Sequence, residues 1–292
     1  AGTPQNAAET LVALKKSGIE IVGVLTRTDA PIGRKRVLTP SPVALAAQGL
    51  NLPVIKSNSV TSEVLKQILT LGADLGVVVA YGAFLNRAAL DALPKGWVNL
   101  HYSLLPQLRG AAPVQHALLQ SLDSTGVSIF QLDEGMDTGP ILNSVSTTIN
   151  PGETSGRLLE RLTDLGNTLL GETLPLIDAG LVKPVQQPST GSIRPAVKLF
   201  RQHALINWNK PAREIENKVL ALNPEPMAHT FLNNQPFRLI DARTTTSSAQ
   251  VADLPAGTLH IEGAKVFVAC GSGTALELIT VQPAGKNQLS AA

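Results

Sequence analysis

Two polar side chains stand one residue apart in an apolar run, Asn99 and His101 in GWVNLHYS. Such a run reads as a strand. Strand side chains alternate faces, so this carboxamide and imidazole project side by side while Val98 and Leu100 point into the opposite packing layer. A third polar group follows in LDEGMDTGPIL at 132–142, where Gly135 and Gly139 bracket Asp137. Glycines permit the tight backbone that returns a carboxylate over a sheet. Singly, each has a plainer reading: a histidine on a strand is more often a satisfied structural group, and an aspartate between glycines is a turn former. Together they point to acid–base and oxyanion chemistry. A carboxylate beside an imidazole fixes its tautomer and favours its charged form, and an asparagine amide donates to a developing negative oxygen.

A second constellation is cationic. Arg27, Arg34, Lys35 and Arg36 surround Pro31 and Gly33, which reads either as a solvated loop or as a contact for a polyanion. The same two readings apply to the chain's charge asymmetry. Residues 1–182 carry 13 Lys+Arg against 15 Asp+Glu, whereas residues 183–292 carry 11 against 7, so the C-terminal part is the basic part.

The elements that must position these groups follow from periodicity. AGTPQNAAETLVALKKSG opens as a turn and an amphipathic helix ended by Gly18. No strand precedes it, although an α/β domain ordinarily opens with one, so a short apolar segment is expected before residue 1. Then IEIVGVLT reads as a buried strand, SEVLKQILTLG as a helix, ADLGVVVAYG as a strand and GWVNLHYS as the next. APVQHALLQSL reads as a helix, GVSIFQLD as a strand, and TSGRLLERLTDLGNTLLGETLPLIDAG as a long helix. This alternation implies an α/β domain with a parallel sheet covered on both faces, and Asn99 and His101 fall near a strand's carboxyl end, where such sheets place ligand crevices.

After residue 182 the register changes. Residues 183–205 contain three prolines and little periodicity and read as a linker. A helix is expected at 211–222 with Ile215, Val219 and Leu222 on one face. MAHTFL, PFRLIDA, GTLHIE, AKVFVAC and ALELITVQ then read as short strands of a small all-β module, a barrel. The expected organisation is 1–182, a linker 183–205, and a β-domain 206–292.

Composition excludes some classes. No apolar run reaches the roughly eighteen residues of a membrane span. The single cysteine, Cys270, cannot form an internal disulfide and reads as a small apolar strand residue. No GxGxxG follows an early strand, which disfavours a nicotinamide dehydrogenase.

Asn99, His101, the run Ser103, Leu104, Leu105 and Pro106, RGAAP at 109–113 and DTGPI at 137–141 strongly resemble the folate-dependent formyltransferase family. The resemblance reaches both ends: AGTP at the start, TRTDAPIGRKRVLTPSPV at 26–43, VVVAYG at 77–82, INWNKPAREIENKVLALNPEPMA at 206–228 and VQPAGKNQLSAA at the end. Within the family these look like the branch whose acceptor is methionyl-tRNA. The resemblance implies a Rossmann-like parallel-sheet formyltransferase domain followed by a small OB-like β-barrel that binds tRNA. It implies 10-formyltetrahydrofolate as co-substrate without a metal, and initiator methionyl-tRNA as partner. It also implies a monomer in a bacterial-type cytoplasm, or an organelle if a transit peptide was trimmed, and chains that extend past both ends of this one.

By the same resemblance Asn99, His101 and Asp137 are the catalytic set: Asn99 and a protonated His101 face the oxyanion, and Asp137 holds His101 and assists proton transfer. Ser103, Leu104, Leu105 and Pro106 bind the folate, with a cis bond before Pro106. Arg34, Lys35 and Arg36 reach the tRNA acceptor end, and Lys265 and Lys286 are among the basic positions of the tail. Two residues depart from the pattern. Tyr102 stands where a small residue is common, and Glu225 replaces an aromatic in the NPxP turn. The rivals are formyl transfer to an amino sugar or to glycinamide ribonucleotide, hydrolysis of the formyl donor, and a non-catalytic RNA-binding protein on the same fold.

Overall fold

The computed structural model describes residues 1–33, 35–188, 193–245, 251 and 253–292. Helix α1 (Gln5–Lys16) buries Ala7, Ala8, Thr10 and Leu14, and carries Lys15 and Lys16 in its last turn, where cations suit the exposed carbonyls. Strand β1 (Val24–Thr26) is fully buried and pairs in parallel with β4 (Val54–Lys56). Between them lie a short antiparallel hairpin, β2 (Ala30–Ile32) and β3 (Val37–Thr39), and helix α2 (Pro42–Gly49). The hydroxyl of Ser41 caps α2 by accepting from the Ala44 amide at 3.0 Å, and Pro42 takes the first helical position, where its missing N–H costs nothing. Helix α3 (Ser62–Thr70) is capped in the same way by Thr61.

Strand β5 (Gly76–Val78) leads through the short α4 (Arg87–Leu90) to β6 (Trp97–His101), its parallel neighbour, with Val78 opposite Asn99. Gly2 donates to the Leu25 carbonyl at 3.0 Å and Val79 donates to the Ala1 carbonyl at 2.8 Å, so residues 1–2 lie between β1 and β5. After α5 (Pro113–Leu119) comes β7 (Ser124–Gln131), which runs antiparallel to β6 and places Ser128 opposite His101. Strand β8 (Ile141–Thr148) lies beside β7. The sheet expected to be parallel is therefore mixed: the chain turns back after β6, so β7 adds as an antiparallel neighbour. The strand expected over IEIVGVLT is short, because ladder partners exist only opposite Val24–Thr26. Helix α6 (Ser155–Asp178) follows. A Cβ added at Gly166 would sit 2.7 Å from Leu100 Cδ2, so the glycine lets this helix lie close behind β6.

The chain packs as two compact units, one of residues 1–110, 126–147 and 159–195, the other of 111–125, 148–158 and 196–292. Residues 183–195, which sequence reads as linker, belong to the first. In the second, α7 (Ala212–Ala221) buries Ile215, Val219 and the following Leu222, the face its spacing predicts. That face packs on Leu239, Val268, Leu276 and Val281 of the sheet. The strands are β9 (His229–Leu232), β10 (Gln235–Thr245), β11 (Leu259–Glu262), β12 (Lys265–Cys270), β13 (Thr274–Pro283) and β14 (Leu289–Ser290). They run in the order β11-β12-β13-β10-β9, with β14 on β13. The expected barrel does not close among the described residues: β9 and β11 are the two ends of an open antiparallel sheet. Cys270 is buried in β12, and burial pushes its thiol up to about 11. Among the described residues no helix is long and apolar enough to cross a membrane.

Candidate active site

Strand β6 does what its alternation predicts. Val98 and Leu100 are buried on one side, while Asn99 and His101 share the other. His101 is 5% exposed, and its ring meets Phe130 edge-on at 6.3 Å between centroids. Asn99 is half-buried and its carboxamide has no hydrogen-bond partner among the described residues. Tyr102 points away from the site, its hydroxyl accepting from Asn6 Nδ2 at 2.8 Å and lying 3.4 Å from Thr163 Oγ1.

Nε2 of His101 lies 2.9 Å from the Leu108 carbonyl oxygen. A carbonyl can only accept, so Nε2 carries the hydrogen and Nδ1 is the nitrogen that gains or loses a proton. Nδ1 faces Asp137 Oδ2 at 3.7 Å, ion-pair range but longer than a hydrogen bond. Oδ2 also accepts from the Gly110 amide at 2.8 Å. Burial is the largest influence on His101 and pushes its pKa below the ordinary histidine value, against the Asp137 charge and the Leu108 hydrogen bond, which raise it. The sequence reading of a charged imidazole weighed the carboxylate but not the burial. With a neutral ring, the Nδ1 lone pair faces a carboxylate oxygen across 3.7 Å.

Asp137 has a φ of 54° and Leu108 a φ of 58°. These are left-handed conformations that L-residues seldom adopt, and both residues touch His101. The turn that bears Asp137 is braced by Asp133, which accepts from the Gly135 amide at 3.0 Å and from Thr138 Oγ1 at 2.7 Å. Gly139 is obligatory, because a Cβ there would stand 1.8 Å from the Gln131 carbonyl oxygen.

The loop Ser103–Pro106 follows β6 after Tyr102, and its Leu105–Pro106 peptide bond is cis. Ser128, fully buried on β7, holds it: its hydroxyl accepts from the Leu105 amide at 3.1 Å and donates to the Ser103 carbonyl at 2.8 Å. Sequence reasoning passed over Ser128, whose only signal is a hydroxyl within the apolar run of residues 127–130. It passed over Gln187 too, which joins Arg109 to the Asp137 turn and carries no local signal. Of the cationic loop, Lys35 and Arg36 are exposed in the turn between β2 and β3, and Arg34 lies outside the described residues. A cavity of about 680 Å³ elsewhere, walled by residues such as Leu14, Val24, Val77 and Trp97, includes neither His101 nor Asp137.

Comparison with known proteins gives this geometry a family. A model described as formyl transferase matches residues 1–174, and one described as formyl transferase, C-terminal domain, matches residues 198–292. The chain belongs to the formyl transferase family. Relatives within it include the methionyl-tRNA formyltransferase of Paenarthrobacter aurescens, 44% identical over 99% of this chain and 92% of that protein. The methionyl-tRNA formyltransferase of an Arthrobacter species is 44% identical over 100% of this chain and 94% of its own. Among solved structures, an N-formyltransferase from Helicobacter canadensis in complex with folinic acid and dTDP-3-aminofucose superposes with a TM-score of 0.68. It shares 18% identity, with 97% of each chain covered, and at that identity the likeness speaks for the fold alone.

Proposed function

We propose that this chain transfers the formyl group of 10-formyltetrahydrofolate to the amino group of methionine on initiator methionyl-tRNA, giving formylmethionyl-tRNA for translation initiation. The observation that carries the reading is 44% identity, over nearly the whole chain, to relatives named for that activity.

The site's residues suit the chemistry. Attack of a neutral amine on a formyl carbon builds negative charge on the formyl oxygen and leaves a proton on the amine nitrogen. The unengaged carboxamide of Asn99 supplies a donor for the oxygen, where fixed dipoles stabilise charge most effectively. His101 Nδ1 and Asp137 supply the proton acceptor: a proton taken at Nδ1 converts two opposed acceptors into a charge-assisted contact. The folate would supply the formyl carbon, and as the C–N10 bond breaks N10 would keep its electron pair and take up the proton that Nδ1 received from the amine, which returns His101 to its unprotonated form. The loop Ser103, Leu104, Leu105 and Pro106 would hold it, since Ser128, opposite His101, fixes the backbone there.

In this reading the first unit, residues 183–195 included, carries the chemistry, and the β-module of residues 206–292 holds the flank of the tRNA. Arg34, Lys35 and Arg36 meet the acceptor end through phosphate contacts and stacking. The chain acts as a monomer in a bacterial-type cytoplasm. The deciding experiment supplies formyl-labelled tetrahydrofolate together with charged initiator tRNA, an amino sugar nucleotide and water as competing acceptors. Label on the methionine amine is expected. Label on the sugar, or release as formate, would replace this reading with one of its rivals.

A further inference from the structure

Gln187 lies in the proline-containing stretch after α6, flanked by exposed residues, yet its own side chain is turned inward. Its position has a register. Val185 pairs with Ile141 in an antiparallel bridge through two 2.8 Å hydrogen bonds, and two residues further along each strand the same register sets Gln187 opposite Gly139. There Nε2 donates to the carbonyls of Asp137 at 3.0 Å and Gly139 at 2.7 Å. Oε1 accepts from Arg109 Nε at 3.0 Å and from Nη2 at 2.7 Å. Both donors and both acceptor sites of the amide are thus used, and the bonds to Arg109, which only donates, fix which end is oxygen.

We propose that Gln187 is a positioning residue for formyl transfer, holding the Asp137 carboxylate against His101 by clamping the backbone of the Asp137 turn to Arg109. The inference rests on the proposed role of Asp137. Residues 108–110 form the hub: Leu108 holds the imidazole, Gly110 holds the carboxylate oxygen, and Arg109 holds the carbonyl of that same aspartate through Gln187. The clamp is needed because Asp137 sits in the left-handed region, a conformation that persists only where its surroundings over-determine it. Freed at its carbonyl, the turn relaxes and the 3.7 Å approach to Nδ1 is lost.

The test is a double-mutant cycle in formyl transfer to charged initiator tRNA, with thermal melting of each full-length protein as the check on folding. Gln187→Met keeps the side chain's bulk and removes all four hydrogen bonds. It should lower kcat about 10-fold or more, as small errors in placement do, and leave KM for the formyl donor within about twofold. In an Asp137→Asn background the same substitution should change the residual kcat less than about twofold, since residues acting as one unit are not additive. Gln187→Glu, which keeps the Arg109 contact and turns a carboxylate oxygen onto the two carbonyls in place of the donors, runs through the same cycle and decides the matter if the Met variant does not fold. An equal loss in both backgrounds, or a loss confined to the donor's KM, overturns the proposal. Full turnover in Asp137→Asn alone would instead refute the role of Asp137, so the two failures are told apart.

Discussion

At the scale of single residues the site turns on one proton position. His101 Nε2 is committed to the Leu108 carbonyl, so the ring's acid–base behaviour is that of Nδ1 beside Asp137. The active form in this reading is the unprotonated one. Because burial lowers the His101 pKa from 6.5, kcat should fall with decreasing pH along an acid limb lying below the ordinary histidine range; a limb above about pH 7 would assign the titration to another group. Stability follows the same sign. Between the lowered folded value and the unfolded one, the unfolded chain binds more protons, so stability falls as pH drops below about 6.5. Denaturation midpoints at about pH 7.5 and 5.5 should therefore differ more in the native protein than in His101→Gln, and an equal difference would remove His101 from the account. His101→Ala should lower turnover about 100-fold or more in a folded protein. Asp137→Asn is the sharper probe: asparagine tolerates the left-handed backbone and its carbonyl still accepts from Gly110. Turnover should collapse while affinity for a folate analogue persists; lost affinity with normal turnover at saturation would make Asp137 a binding residue.

At the scale of elements, short segments hold the site by contacts that leave no slack. Strand β7 contributes Ser128, whose hydroxyl pins the Ser103–Pro106 loop at two points. Ser128→Ala leaves the buried Leu105 amide without a partner, which costs about 1–3 kcal/mol. The expected result is a raised KM for the formyl donor with kcat less affected, and a donor KM equal to that of the native protein would show that the loop holds its shape without the hydroxyl. The Asp137 turn is equally constrained. A methyl at Gly139 collides with the Gln131 backbone 1.8 Å away, so Gly139→Ala must shift the turn and should lose most activity even where a cooperative melt survives. Native turnover in a folded Gly139→Ala protein would show that the turn has room to move.

At the scale of the whole molecule the basic C-terminal part invites a test by truncation, but the structure argues against that design. Residues 111–125 and 148–158 belong to the same compact unit as 196–292, so removing the tail strips both segments of their packing partners. Single charge removals serve better. Lys286 is exposed, whereas Lys265 already pairs with Glu277 at 3.3 Å. If the sheet binds tRNA phosphates, Lys286→Gln should weaken tRNA binding and lower the slope of log affinity against log salt by up to about one, while Lys265→Gln changes it less. A titration at several salt concentrations reads both, and unchanged slopes would make this face a solvated surface.

Sequence alone decided whatever depends on local period or on a residue's own backbone. Alternation put Asn99 and His101 on one face of β6, the helical period put Ile215, Val219 and Leu222 on the buried face of α7, and the glycines around Asp137 announced a tight turn. Tertiary structure decided who meets whom. Gly110 reaches Asp137 across 27 positions in sequence, Gln187 reaches Asp137 across 50, and Arg109 reaches Gln187 across 78. No periodicity encodes such pairings, because they depend on how strands dock. The antiparallel course of β7, the open C-terminal sheet and the place of residues 183–195 within the first unit were hidden for the same reason. The balance at His101 was hidden too, since a neighbouring carboxylate can be guessed from residue types, whereas the burial that outweighs it exists only once the chain has packed.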